Sequence, residues 1–182
     1  GFGGDAQRSE SFSVGLKSEV CESEGRFAIR QQPITEHTVY DLASLTKLFT
    51  CVSVFILLEK RAVSMTDCIG RIDQRFKYLK DVSLYDLLCY RAVLKSPERI
   101  DTQPSADEAE EQVFHTFLSS APQAKIYSDM NALVLRYLIE AVSRKRYIDF
   151  LRENIFDPLS MQETWGAVPE NRRSDCMNYN YE

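Results

Sequence analysis

Tyr40-Asp41-Leu42-Ala43-Ser44-Leu45-Thr46-Lys47-Leu48-Phe49-Thr50 is the stretch on which the fold turns. It opens a run in which Leu45, Leu48, Phe49, Val52, Phe55 and Ile56 recur at three- and four-residue spacings, the period of a helix. The spacing predicts a helix to about Lys60, apolar on most sides from Leu48 onward and therefore central and buried. Ser44 stands at its start, where backbone N–H groups lack partners and the helix dipole favours negative charge. Lys47 follows three residues later, on the same face, with ~5–6 Å between Cβ atoms. An amine there can take the serine's proton once burial or a neighbouring charge lowers its pKa. The plainer reading is an N-cap serine beside a solvated lysine. The pattern alone does not separate the two.

Working outward, residues 11–17 alternate polar and apolar and read as a strand, and 26–31 as a second, with Glu24-Gly25 in the connecting turn. Asp73 to Tyr78 reads as a loop. Ser83, with Asp86 three residues on, is a capping pattern for a short helix. Residues 101–105 are polar and contain Pro104, a loop. Ala106 to Leu118 reads as an acidic amphipathic helix, Asp129 to Ser143 as another, with Leu133, Val134, Tyr137, Leu138 and Val142 on one face, and Tyr147 to Ile155 as a third. Trp165 is expected in the core beside Leu159 and Met161.

Two further stretches bear on Ser44: Tyr127-Ser128-Asp129, and Ile155-Phe156-Asp157-Pro158-Leu159-Ser160-Met161-Gln162-Glu163-Thr164. With the Ser-x-x-Lys spacing, they make the chain resemble the serine β-lactamase and penicillin-binding-protein superfamily from about Phe12 onward. The nearest branch is that of class C-type β-lactamases, related esterases and D-alanyl-D-alanine peptidases. The resemblance implies an α+β fold of the β-lactamase/transpeptidase type, present here as its helical part plus two N-terminal antiparallel strands, in a single partial domain over residues 1–182. It implies Ser44 as nucleophile, Lys47 as general base and Tyr127 as an aid to proton transfer, with no cofactor and no metal. Tyr127-Ser128-Asp129 falls on the family's Tyr-x-Asn, with Asp129 replacing Asn. An acid there would raise the lysine's pKa and oppose its service as a neutral base. A rival register reads Ser128-Asp129-Met130 as Ser-Asp-Asn. The tyrosine register is preferred, because Met130 cannot make an asparagine's hydrogen bonds. Bland readings stand beside these: Tyr127 as a core aromatic, and Ser128 or Asp129 as a helix cap.

The family's His-Thr-Ser-Gly-Leu-like turn is replaced by Tyr90-Arg91-Ala92-Val93-Leu94, which has lost its glycine. The family's Lys/His-Thr-Gly strand has no counterpart, since Gly166, the one glycine after Gly70, follows Thr164-Trp165. The later strands and last helix are also unaccounted for, and Glu170 to Glu182 reads as the beginning of a loop. These gaps favour a fragment over a shortened homologue. Such a fragment is expected to lack activity alone and to self-associate through uncovered apolar surface.

Composition narrows the rest. The chain has 182 residues, 44% hydrophobic and 27% charged, ordinary values for one soluble domain or part of one. Net charge −5 argues against nucleic acid as a partner. Leu48 to Leu58 is too short for the ~20 apolar residues of a membrane span. Gly1-Phe2-Gly3-Gly4-Asp5 lacks the basic start of a signal peptide, although one could have been trimmed. Five scattered cysteines suit neither a disulfide framework nor a zinc site and favour a reducing compartment. Cys51 reads as a buried small hydrophobe. His37 and His115 lack the Gly-x-Ser-x-Gly elbow of a serine–histidine triad and read as surface or capping residues. Asp107-Glu108-Ala109-Glu110-Glu111 reads as a solvated first helical turn.

Two functions follow. The first is a serine hydrolase acting by acyl transfer on an ester, a β-lactam or a D-Ala-D-Ala-type amide, from a small-molecule or peptidoglycan-like substrate. The second is a catalytically inactive relative that keeps the fold as a binding or regulatory domain.

Overall fold

The computed structural model describes residues 16–23, 26–120 and 127–177. The chain divides into two compact units, Gly1–Ala43 with Ala167–Glu182, and Ser44–Gly166.

In the first unit, β1 (Leu16–Ser23) pairs antiparallel with β2 (Arg26–Pro33), with Leu16 opposite Pro33 and Ser23 opposite Arg26. Of the strand expected at 11–17, Leu16 and Lys17 lie in β1, which runs on to Ser23. Residues 11–15, and the turn residues 24–25, lie outside the described residues. Leu-Lys-Ser-Glu-Val-Cys-Glu-Ser has little apolar alternation, so its strand comes from the backbone ladder with β2 rather than from a one-sided pattern. Glu170–Asp175, expected as loop, forms 3₁₀ turns, and Cys176 bridges in parallel to Val39. Val39 N–H donates to Asp175 O at 2.9 Å and Met177 N–H to Val39 O at 2.8 Å.

The second unit is helical. Its elements are α1 (Thr46–Glu59), α2 (Ile69–Ile72), α3 (Leu84–Leu88), β3 (Leu94–Lys95), α4 (Ala106–Phe114), β4 (Phe117–Leu118), α5 (Asp129–Ser143) and α6 (Tyr147–Leu151), which runs on into a π turn over Arg152–Phe156. Val54 and Leu57 of α1, Leu84 and Leu87 of α3, and Val134, Leu138 and Ile139 of α5 meet Ile69, Phe76 and Leu79 in one core. Burying side chains of this size contributes ~1.5–3 kcal/mol each, which is why α1 and α5 lie together. A polar tie crosses this region: the Thr50 and Tyr147 hydroxyls lie 2.8 Å apart. The capping pattern at Ser83 is real, with its Oγ accepting from Asp86 N–H at 3.2 Å and Asp86 accepting from Ser83 N–H at 3.3 Å. At Gly70 an added Cβ would stand 2.6 Å from Phe76 O, so only glycine lets the 76–80 turn close over α2.

Four expectations need correction. The helix expected over Ala106–Leu118 stops at Phe114, and Phe117 and Leu118 pair with Lys95 and Leu94 instead. Helical periodicity cannot register that distant partner. Helix α1 is not central: Thr50, Ser53, Val54 and Leu57 are buried, whereas Leu45, Leu48, Val52 and Phe55 are 58%, 62%, 44% and 56% exposed. The described residues cover one side of it only. Trp165 is half-buried and Leu159 is exposed, so they form no core pair, and Cys51 is half-buried rather than buried. Among the described residues no helix is long and apolar enough to cross a membrane.

Candidate active site

A 3₁₀ turn, Ala43–Leu45, leads into α1. Ala43 has φ +44°, a left-handed conformation that a side chain disfavours, immediately before Ser44. The N-cap position belongs to Leu45, which offers no side-chain cap. The Ser44 hydroxyl is therefore not spent on the helix start. It accepts from Lys47 Nζ at 2.9 Å.

Lys47 is the hub. Its Nζ is 2.5 Å from Asp129 Oδ1, in the first turn of α5, and 4.8 Å from the ring centroid of Tyr127. The lysine side chain is 15% exposed and that of Asp129 75%, so the amine is enclosed while the carboxylate keeps an open face. Thus Ser44 and Lys47 from one stretch, and Tyr127 and Asp129 from another far along the chain, meet around one nitrogen. Ser128 Oγ accepts from Met130 N–H at 3.2 Å as the N-cap of α5, and Met130 packs against the core. Both facts fit the tyrosine register.

The ionisations of Lys47 and Tyr127 are perturbed. Burial pulls the Lys47 pKa down, but hydrogen bonds with Asp129 and then Tyr127, and their charge, outweigh it and hold the ammonium above the ordinary lysine value. Tyr127 moves down, because its phenolate would accept from Lys47 and then from Ser44. The resting state is therefore an ammonium that donates to Ser44, beside a phenol that loses its proton more readily than usual.

Two neighbours were not singled out from the sequence. Tyr90 stacks on Tyr127, ring centroids 5.7 Å apart and planes at 14°. Asn131, buried in α5, donates from Nδ2 to Leu87 O at 3.1 Å and Ala92 O at 3.4 Å, and its Oδ1 has no partner among the described residues. Asn131 carried a legible signal, an amide on the apolar face formed by Val134, Leu135 and Leu138. Tyr90 was visible only as the first residue of an altered turn.

The remaining candidates have ordinary settings. His115 ends α4, its Nδ1 2.9 Å from Glu111 O, and His37 is exposed beside Glu36. Asp107 and Glu108 occupy the first turn of α4 behind the Ser105 cap. Among the described residues no three His, Cys, Asp or Glu side chains are placed to hold a metal.

Comparison with known proteins identifies the family of the chain. The model of the β-lactamase family matches residues 24–181. A teichoic acid D-alanine hydrolase of Staphylococcus aureus is 27% identical over 131 residues, 71% of this chain and 33% of its own length. The crystal structure of FmtA from Staphylococcus aureus superposes with a TM-score of 0.70 at 24% identity, over 79% of this chain and 41% of that one. A class C β-lactamase superposes at 0.69 and 16% identity, over 90% and 49%. The chain spans about a third of the length of the curated relatives it matches. The fold of the solved neighbours, and a family match over most of its length, show that the chain belongs to the β-lactamase family.

Proposed function

We propose that the full-length protein is a serine hydrolase that works through an acyl-enzyme on Ser44. The observation that carries this reading is Lys47 Nζ, 2.9 Å from Ser44 Oγ and enclosed between Tyr127 and Asp129. Ser44 Oγ attacks the substrate carbonyl and forms the C–O bond, while its proton passes to Lys47 in the neutral form. The negative charge on the carbonyl oxygen gains from the N–H groups at the start of α1. The bond to the leaving group then breaks, and the leaving group takes a proton through the Tyr127 hydroxyl, replaced from the Lys47 ammonium. Water hydrolyses the ester, releasing the acid and restoring Ser44. Ester, β-lactam and D-Ala-D-Ala-type amide are all within this chemistry, and likeness to a teichoic acid D-alanine hydrolase favours a D-alanyl acyl group.

The test is labelling of the full-length protein with a fluorophosphonate and with a fluorescent penicillin. Labelling at Ser44, abolished in Ser44→Ala, is the expected result, and fluorophosphonate labelling alone points to an ester substrate. Labelling that persists in Ser44→Ala overturns the assignment of the nucleophile. One observation favours a second reading, a non-catalytic binding relative: Asp129 holds Lys47 cationic. Binding of a D-alanyl ester without labelling or turnover at any pH would select that reading.

A further inference from the structure

We propose that Tyr90 is a positioning residue for Tyr127: the stacked ring of Tyr90 holds the Tyr127 hydroxyl against Lys47 and Ser44. The geometry stands by itself, and its kinetic consequence rests on the acyl-transfer reading.

The backbone at Tyr90 is the first support. Helix α3 ends with Cys89 as its C-cap, and Tyr90 follows with φ +53°. Tyr90 N–H donates to Leu87 O at 3.1 Å and Arg91 N–H to Asp86 O at 2.8 Å. This pair of bonds is the Schellman motif, in which the left-handed residue is by preference glycine. A bulky aromatic residue in that conformation is an outlier, and such strain persists only where surrounding structure enforces it.

The ring supplies the second. It lies 5.7 Å from the Tyr127 ring at 14° between planes. Tyr127 is 63% exposed, and a side chain that open changes rotamer on a ps–ns timescale unless something holds it. One face of the Tyr127 ring has Lys47 Nζ at 4.8 Å from its centroid, and Tyr90 supplies an aromatic wall.

Asn131 is the third. From the first turn of α5 it holds Leu87 O and Ala92 O, one on each side of Tyr90. Tyr127 stands just before the Ser128 cap of the same helix. The turn that carries Tyr90 and the residue it positions are thus tied to one rigid element.

The experiment titrates Tyr127 by NMR in the full-length protein with ring-¹³C tyrosine, its signal assigned through Tyr127→Phe. Tyr90→Phe keeps the ring and should leave the titration unchanged. Tyr90→Gly suits the backbone and removes the ring, so Tyr127 should titrate closer to an ordinary tyrosine. Tyr90→Leu keeps bulk at the turn without a flat ring, and should behave as Tyr90→Gly does. Fluorophosphonate acylation of Ser44 should slow roughly tenfold or more in Tyr90→Gly and Tyr90→Leu. A wild-type titration of Tyr127 in both variants overturns the proposal. Absence of acylation in the wild-type protein would count against the hydrolase reading, while the titration would still decide the role of Tyr90.

Discussion

Helix α5 begins directly after Ser128, whereas Leu45 stands between Ser44 and α1, and the two serines are used in opposite ways. Ser128 caps α5, its Oγ committed to Met130 N–H. Ser44 precedes α1 without capping it, and its Oγ faces Lys47. Capping consumes a hydroxyl's acceptor geometry and fixes it against the backbone. A nucleophile needs the same oxygen free to approach a carbonyl. In the proposed reading, the uncapped start of α1 therefore marks Ser44 as the nucleophile more clearly than the Ser-x-x-Lys spacing does. The capped start has its own use, because a firm first turn carries Asp129 to Lys47 and leads in from Tyr127.

Removing the group that distinguishes Ser44 breaks this contrast most strongly. Lys47→Ala should lower acylation by ~10²–10⁴, the range for loss of a general base, with the fold retained. Stopped-flow labelling with a fluorogenic acylating agent measures it. A loss of only a few-fold would move the base role to Tyr127, whose phenol ionises below its ordinary value.

A smaller effect comes from the α5 side. Asp129 raises the Lys47 pKa, so Asp129→Asn should lower it. In the proposed mechanism Lys47 acts as base only when neutral. At pH values below its pKa, each unit of decrease enlarges the neutral fraction about tenfold. The rising limb of acylation rate against pH should shift to lower pH in Asp129→Asn, and the rate near neutrality should increase. A pH–rate profile checks both. A limb that stays in place would show that Lys47 is not the titrating group.

Much of this arrangement was legible because its causes are local. Ser128, the α5 periodicity and Arg144, which is left-handed at the end, bound that helix at Asp129 and Ser143 as read from the sequence. The spacing of Ser44 and Lys47 put the two side chains within reach, and the structure makes the contact from a 3₁₀ turn ahead of α1. The misses have distant causes. Helix α4 ends early because Phe117-Leu118 pairs with Leu94-Lys95. The exposed face of α1 is at least as apolar as the buried one, which includes Thr50 and Ser53, so periodicity cannot tell which side the rest of the unit covers. Tyr90 was visible only as the first residue of an altered turn, because its stack with Tyr127 depends on a residue in another element.

The smallest effect tests the contrast on stability instead of rate. Ser128→Ala deletes a cap that accepts from Met130 N–H, and should destabilise the fold by ~1 kcal/mol, within a range of ~0.5–2. That corresponds to about 2–4 °C in Tm for a chain of this size. Ser44→Ala removes a hydroxyl that caps nothing and whose partner Lys47 retains Asp129, so stability should stay within about 0.5 kcal/mol. Parallel urea titrations of the two variants, followed by circular dichroism, read the difference directly. If Ser44→Ala lost as much as Ser128→Ala, the Ser44 hydroxyl would be supporting the start of α1 after all. The division of labour between the two serines would then fail, even with the labelling chemistry intact.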